Sequence, residues 1–186
     1  MRYSQIRSMD ISNGEVIGAA LFVQGCHAPH CKGCFNPETW DFNGGKEWTD
    51  ETEEKFLKLI DRPHIKRVSI LGGEPLADKN LNGVLKLINK IRLLFPEKII
   101  WLYTGYTVDI FEVPYSDHTE IITIPKTNNK HDLIRADIIS KCDIVVDGRF
   151  EEDKKDLSLK FRGSSNQRII DVQQSLKKGE IVLWSS

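Results

Sequence analysis

Four apolar runs punctuate the chain, and each ends at a loop of unusual composition. Val16 to Val23 lies between Asn13-Gly14 and Gln24-Gly25, and Arg67 to Leu71 ends at a Gly-Gly pair. Ile99 to Tyr103 leads into Thr104-Gly105-Tyr106, and Asp143 to Asp147 leads into Gly148-Arg149-Phe150. Short apolar runs bounded by turn residues read as strands, and the continuous run Val16 to Val23 reads as a buried one. Amphipathic helical patterns stand between them. Thr49 or Asp50 can cap a helix to about Ile60, with Phe56, Leu57, Leu59 and Ile60 as its apolar face. Leu81, Val84, Leu85, Ile88 and Ile91 recur at helical spacing until just before Pro96. A short helix is expected after Tyr106, a strand over Ile121 to Ile124 and a helix over roughly Asp132 to Ser140. Strand alternating with helix implies parallel βαβ units, in which ligands collect at the carboxyl ends of the strands. The loops that follow the runs therefore gather on one rim.

The first of these loops carries the chemistry. In Gly25-Cys26-His27-Ala28-Pro29-His30-Cys31-Lys32-Gly33-Cys34-Phe35-Asn36 three of the chain's four cysteines are spaced C-x4-C-x2-C. Three thiolates without a fourth nearby suit a metal centre with one open position, whereas structural zinc sites are closed by four ligands. In an iron–sulfur cube, three cysteines hold three irons and leave the fourth for an exogenous ligand. The competing reading is a zinc knuckle closed by His27 or His30, an interaction module rather than an enzyme. A redox dithiol at Cys31 and Cys34 leaves Cys26 unexplained. Cys142 precedes Ile144-Val145-Val146 and reads as a buried small hydrophobe.

Gly72-Gly73-Glu74-Pro75 follows the second run. As plain structure it is a strand-to-helix turn. As a site, its bare backbone lets a ligand approach, and Glu74 or neighbouring carbonyls can accept hydrogen bonds from a cationic amine. Arg149 and Arg162 are candidates to meet a carboxylate or a partner surface. Trp40, Trp48, Trp101 and Tyr106 read as packing residues.

Composition excludes several classes. Lys plus Arg (26) nearly balances Asp plus Glu (27), so there is no electrostatic case for binding nucleic acid or an acidic membrane. No apolar run follows a basic start, so no signal peptide is expected, and no stretch approaches the roughly 20 apolar residues of a membrane span. Clustered free thiols fit a reducing cytoplasm. The 186 residues suffice for a single domain. Its tail reads as a closing element at about 161–186: the polar loop Phe161 to Gln167, then strands Arg168–Val172 and Ile181–Trp184 joined hairpin-like through Lys177-Lys178-Gly179.

Together these segments resemble the radical S-adenosylmethionine superfamily, and within it the anaerobic ribonucleoside-triphosphate reductase activating proteins. The resemblance is carried by Asp10 to Gly14, Phe22 to Trp40, Ser69 to Leu76, Trp101 to Tyr106, Val145 to Phe150 and Arg162 to Gln167. One departure is the four residues between Cys26 and Cys31, where the superfamily commonly has three. The segment Val113 to Lys130 is also longer than compact members need. The resemblance implies a truncated, open (β/α) barrel with a [4Fe–4S] cluster on Cys26, Cys31 and Cys34. It implies S-adenosylmethionine on the unique iron, with Gly33, Cys34 and Phe35 against the adenosyl part and Gly72, Gly73, Glu74 and Pro75 against the methionyl amine. An electron from a reduced flavodoxin-type donor would then cleave the sulfonium, and the resulting radical would abstract hydrogen from a glycine of the partner reductase. Activation of another glycyl radical enzyme, or a different radical reaction, is the alternative within the superfamily.

Overall fold

A computed structural model describes residues 1–111, 121–123 and 130–185. The strands are β1 (Arg2–Asp10), β2 (Gly18–Val23), β3 (Lys46–Glu47), β4 (Arg67–Gly72), β5 (Ile99–Tyr103), β6 (Asp109–Phe111), β7 (Ile121–Thr123), β8 (Ile144–Asp147) and β9 (Arg168–Asp171). The helices are α1 (Asp50–Ile60), α2 (Asp78–Leu94), α3 (Lys130–Ser140) and α4 (Val172–Lys178). Among the described residues seven strands form one sheet in the order β3-β1-β2-β4-β5-β8-β9, and β6 pairs with β7 apart from it. The class is α/β, as the alternation requires.

The middle of the sheet, β2-β4-β5-β8, is parallel. Its flanks are not: β1 runs antiparallel to β2 and β9 antiparallel to β8. The sheet is therefore mixed, not built from parallel units throughout. Alternation within each central strand divides its side chains between two apolar environments. Leu21, Val23, Ile70, Ile100, Leu102 and Val145 face the core shared with Leu81, Val84, Ile88 and Ile91 of α2 and Phe56 and Ile60 of α1. Ala20, Phe22, Leu71, Trp101 and Val146 face the other way, where Tyr103 and Phe161 pack. Burial on both faces is why these strands are largely apolar, with Arg67 and Ser69 of β4 as buried polar exceptions.

Local signals explain the helix ends. Thr49 Oγ1 accepts a bond from the Thr52 amide at 3.2 Å, opening α1. Helix α2 stops at Leu94, where Pro96 disfavours a helical Phe95. Arg67 is fully buried at the start of β4 and pairs with Asp10 at 2.9 Å. It also donates to the carbonyls of Asn13 at 2.7 Å and Glu15 at 2.8 Å, fixing the loop between β1 and β2.

Two expectations change. The short helix after Tyr106 is absent among the described residues, and β6 occupies 109–111. The first expected tail strand is present as β9, but its connection to Ile181–Trp184 is a helix: Asp171 Oδ1 accepts from the Gln174 amide at 2.9 Å and Gly179, at φ 69°, ends α4. The two tail segments still meet antiparallel, through a bridge from Ile170 to Leu183. Strand β1 belongs to the sheet although its sequence contains no apolar run. Ile124 and most of Val113 to Lys130 lie outside the described residues.

Candidate metal centre

The loops that follow β2, β4, β5 and β8 converge on one cavity of about 800 Å³. Cys26, Cys31, Cys34 and Phe35 line it with Gly72, Gly73 and Glu74, and Thr104 to Tyr106, Gly148 to Phe150, Arg162 and Gln167 complete the wall. Gly33 and Pro75 stand just behind it. Gly33 is exposed at φ 70°, with Glu152 Oε1 2.9 Å from where a Cβ would be, and Pro75 is buried within its turn.

The cysteine loop is anchored at both ends. The Gly25 and Cys26 amides bond to the carbonyls of Thr39 at 2.7 Å and Trp40 at 3.0 Å. Buried Gln24 donates to the carbonyls of Glu38 and Asp41 at 3.0 and 2.8 Å. The Cys34 amide reaches the Cys31 carbonyl at 3.3 Å, closing the C-x2-C turn, and the Asn36 amide points at Cys34 Sγ at 3.4 Å. His30 stacks flat on Trp40, centroids 4.1 Å apart, and its Nε2 donates to the Cys26 carbonyl at 3.2 Å. His27 lies against Phe42. His30 is thus engaged in shaping the loop.

All three thiols are free and half-buried. Burial pushes the Cys26 thiol up to about 11, aided by Glu74, Cys31 and Cys34 and opposed by Arg149. A bound cation reverses that balance by displacing the proton. Among the described residues no three His, Cys, Asp or Glu side chains gather closely enough for one metal ion. Around a single zinc, tetrahedral bonds of about 2.3 Å would bring the sulfurs to about 3.8 Å from one another. In a cluster each thiolate sits on a different iron and the sulfurs stand further apart. Three thiols share one cavity wall, and thiolates are the donors an iron–sulfur cluster takes.

The Gly-Gly turn is pressed against the base of the cysteine loop. The Gly73 amide bonds to the Val23 carbonyl at 2.9 Å and the Glu74 amide to the Gly25 carbonyl at 2.8 Å. A Cβ on Gly73 would lie 2.4 Å from Gly25 O. Glu74 is a brace. Its Oε1 accepts from the Leu76 amide at 2.9 Å and Thr104 Oγ1 at 2.7 Å, and its Oε2 from the Gly105 amide at 2.7 Å. Burial nevertheless pushes its carboxyl above the usual range, against the pull of those bonds and of Arg135. Three of roughly four acceptor sites are thus taken. Its capacity to accept a further hydrogen bond is therefore small.

Several contributors were not singled out from sequence. Asn80 Nδ2 ties the Gln24 carbonyl at 3.1 Å to the Glu74 carbonyl at 2.9 Å, joining cysteine loop and turn. Arg135 reaches the Leu76 carbonyl at 2.9 Å and lies over the Tyr106 ring. A polar residue on the buried face of a helix is the signal that marks both. Arg149 donates to the Pro29 carbonyl inside the cysteine loop. Arg162 turns back on its own loop, donating to the Gln167 carbonyl at 2.8 Å.

Comparison with known proteins places this geometry. A family model described as a 4Fe-4S single cluster domain matches residues 12–170. A protein of Pasteurella multocida (strain Pm70) is 35% identical over 177 residues, 94% of this chain and 99% of the relative. One from Escherichia coli (strain K12) is 36% identical over 169 residues, 90% of this chain and 96% of its own length. A third, from Enterobacteria phage T4, is 29% identical over 169 residues, covering 91% and 93%. All three are named anaerobic ribonucleoside-triphosphate reductase-activating protein. The similarity runs nearly end to end in both sequences, and the chain belongs to the anaerobic ribonucleoside-triphosphate reductase-activating protein family.

Proposed function

We propose that this protein activates an anaerobic ribonucleoside-triphosphate reductase by reductively cleaving S-adenosylmethionine at a [4Fe–4S] cluster held by Cys26, Cys31 and Cys34. The observation that carries the reading is the shared cavity: the cysteine loop and the Gly72–Pro75 turn are hydrogen-bonded to each other and open on the same space. When bound, cluster and S-adenosylmethionine supply a one-electron cleavage that ends with a glycyl radical on the partner reductase.

The chain's own residues position those groups. The carbonyls of Gly72 and Gly73 receive the methionyl amine, with Glu74 and Pro75 fixing the turn. Gly33, Cys34 and Phe35 border the adenosyl part. Phe35, edge-on to Phe150 at 5.0 Å, supplies an apolar face on that side. The four parallel strands form the inner staves of an open (β/α) barrel, a single domain spanning 1–186 that the segment 161–186 closes. Its open side admits the glycine-bearing segment of the reductase, and a reduced flavodoxin-type protein is the electron donor. Free thiols on the cavity wall call for a reducing, cytoplasmic setting; among the described residues no helix is long and apolar enough to cross a membrane.

Anaerobic reconstitution tests the reading. Brown protein should cleave S-adenosylmethionine under dithionite and give a glycyl radical signal when mixed with the reductase. Colourless protein holding tightly bound zinc after the same treatment would replace this reading with the zinc-binding module.

A further inference from the structure

Arg149 combines a fixed root with an uncompensated charge. It follows β8, and its carbonyl accepts from Asn166 Nδ2 at 2.8 Å. Its Cγ lies 3.4 Å from where a Cβ on Gly105 would stand, so the side chain leaves the rim against the β5 loop. The guanidinium Nη2 then donates to the carbonyl of Pro29, midway between Cys26 and Cys31. The residue lines the same cavity as the three thiols. Lys32, the cation inside the cysteine loop, is paired with Glu152 at 3.2 Å. Arg149 has no such partner: among the described residues no carboxylate lies within salt-bridge distance of it. Its charge is left to act on whatever occupies the cavity at the cysteine loop.

We propose that Arg149 is a positioning residue whose unpaired cation raises the reduction potential of the cluster held by the cysteine loop. The inference rests on the cluster reading above. One electron from an external reductant makes the centre more negative, and a cation beside it favours the reduced form through Coulomb attraction. The hydrogen bond to Pro29 holds the cation there. This assigns Arg149 to the cluster rather than to a partner surface.

The test is a redox titration of cluster-loaded protein with dithionite and mediators, followed by the electron paramagnetic resonance of the reduced cluster. Arg149→Gln removes the charge but can still donate to Pro29, and Arg149→Lys keeps the charge. All three proteins should hold the same iron. The Gln variant should titrate at a more negative potential, with its reduced-to-oxidised ratio at a fixed potential about tenfold lower. The Lys variant should titrate near wild type. An unshifted Gln variant overturns the proposal, and if its glycyl radical yield alone falls, Arg149 serves the partner. Iron loss from the Gln variant also overturns it, in favour of a purely structural clasp. Wild-type protein that takes up no [4Fe–4S] cluster would overturn both this inference and the reading beneath it.

Discussion

Gly73→Ala tests how tightly the Gly-Gly turn and the cysteine loop are coupled. The new methyl would start 2.4 Å from the Gly25 carbonyl oxygen, 2.9 Å from its carbon and 3.0 Å from its nitrogen. All three are backbone atoms, so no side chain can swing away. Restoring ordinary contact needs a separation of roughly 1 Å more. Overpacking of this kind costs about 1–3 kcal/mol. Weakening the adjacent bond from the Glu74 amide to the Gly25 carbonyl adds about 1 kcal/mol. A total near 3 kcal/mol corresponds to roughly 6–12 °C in Tm for a chain of this length. Gly25 precedes Cys26, so cluster content after reconstitution should fall as well, and the variant should be more than a weak S-adenosylmethionine binder. Gly105→Ala is the control, because its Cβ would meet Arg149 and Glu74 at 3.4 Å, an ordinary contact. Thermal unfolding of both variants with iron analysis decides the matter. Gly73→Ala with wild-type Tm and full iron would refute the steric argument.

Cys26→Ala, Cys31→Ala and Cys34→Ala should each abolish cluster assembly in iron and sulfide analysis. Cys142→Ala should keep the cluster and lose about 1 kcal/mol on urea unfolding, since Cys142 is fully buried. Asp10→Asn strips the buried Arg67 guanidinium of its counter-charge and should cost about 3 kcal/mol by the same measurement; a cost below 1 kcal/mol would show that the carbonyl bonds suffice. Glu74 is raised by burial, so it binds its proton more readily folded than unfolded. Its contribution to stability is fully present below the ordinary carboxylate range and is lost as pH rises through its folded pKa. Unfolding free energy measured across that window should decline in wild type relative to Glu74→Gln, and parallel pH profiles would contradict the assignment.

The central strands and the gathering of their loops were legible because burial on both faces leaves short, largely apolar runs that end at glycine-rich turns. Strand β1 was not. Arg2 to Asp10 is half-exposed at the flank of the sheet, and its polar residues leave neither an apolar run nor a clean alternation. Helix α4 was legible in principle: Asp171 three residues before Gln174, and Gly179 after the lysines, are start and stop signals. Its seven residues were too few to show a helical period against two flanking apolar stretches. The three cysteines and the Gly-Gly turn could be found as motifs. The braces between them could not, since Asn80 meets Gln24 across 56 positions and Arg67 meets Asp10 across 57. Such pairings are set by sheet order, which local pattern does not encode.

The sheet order β1-β2-β4-β5-β8-β9 also follows the chain from its N-terminal to its C-terminal side, with β3 as the exception. Each new strand can dock beside its predecessor as it leaves the ribosome. The cysteine loop is then in place early, whereas Arg149 reaches Pro29 only 120 residues later. At about 5–20 residues per second that interval lasts roughly 6 to 24 s. During it the three thiols stand without the wall that Gly148 to Gln167 later provides, accessible to oxidants and to stray metal ions.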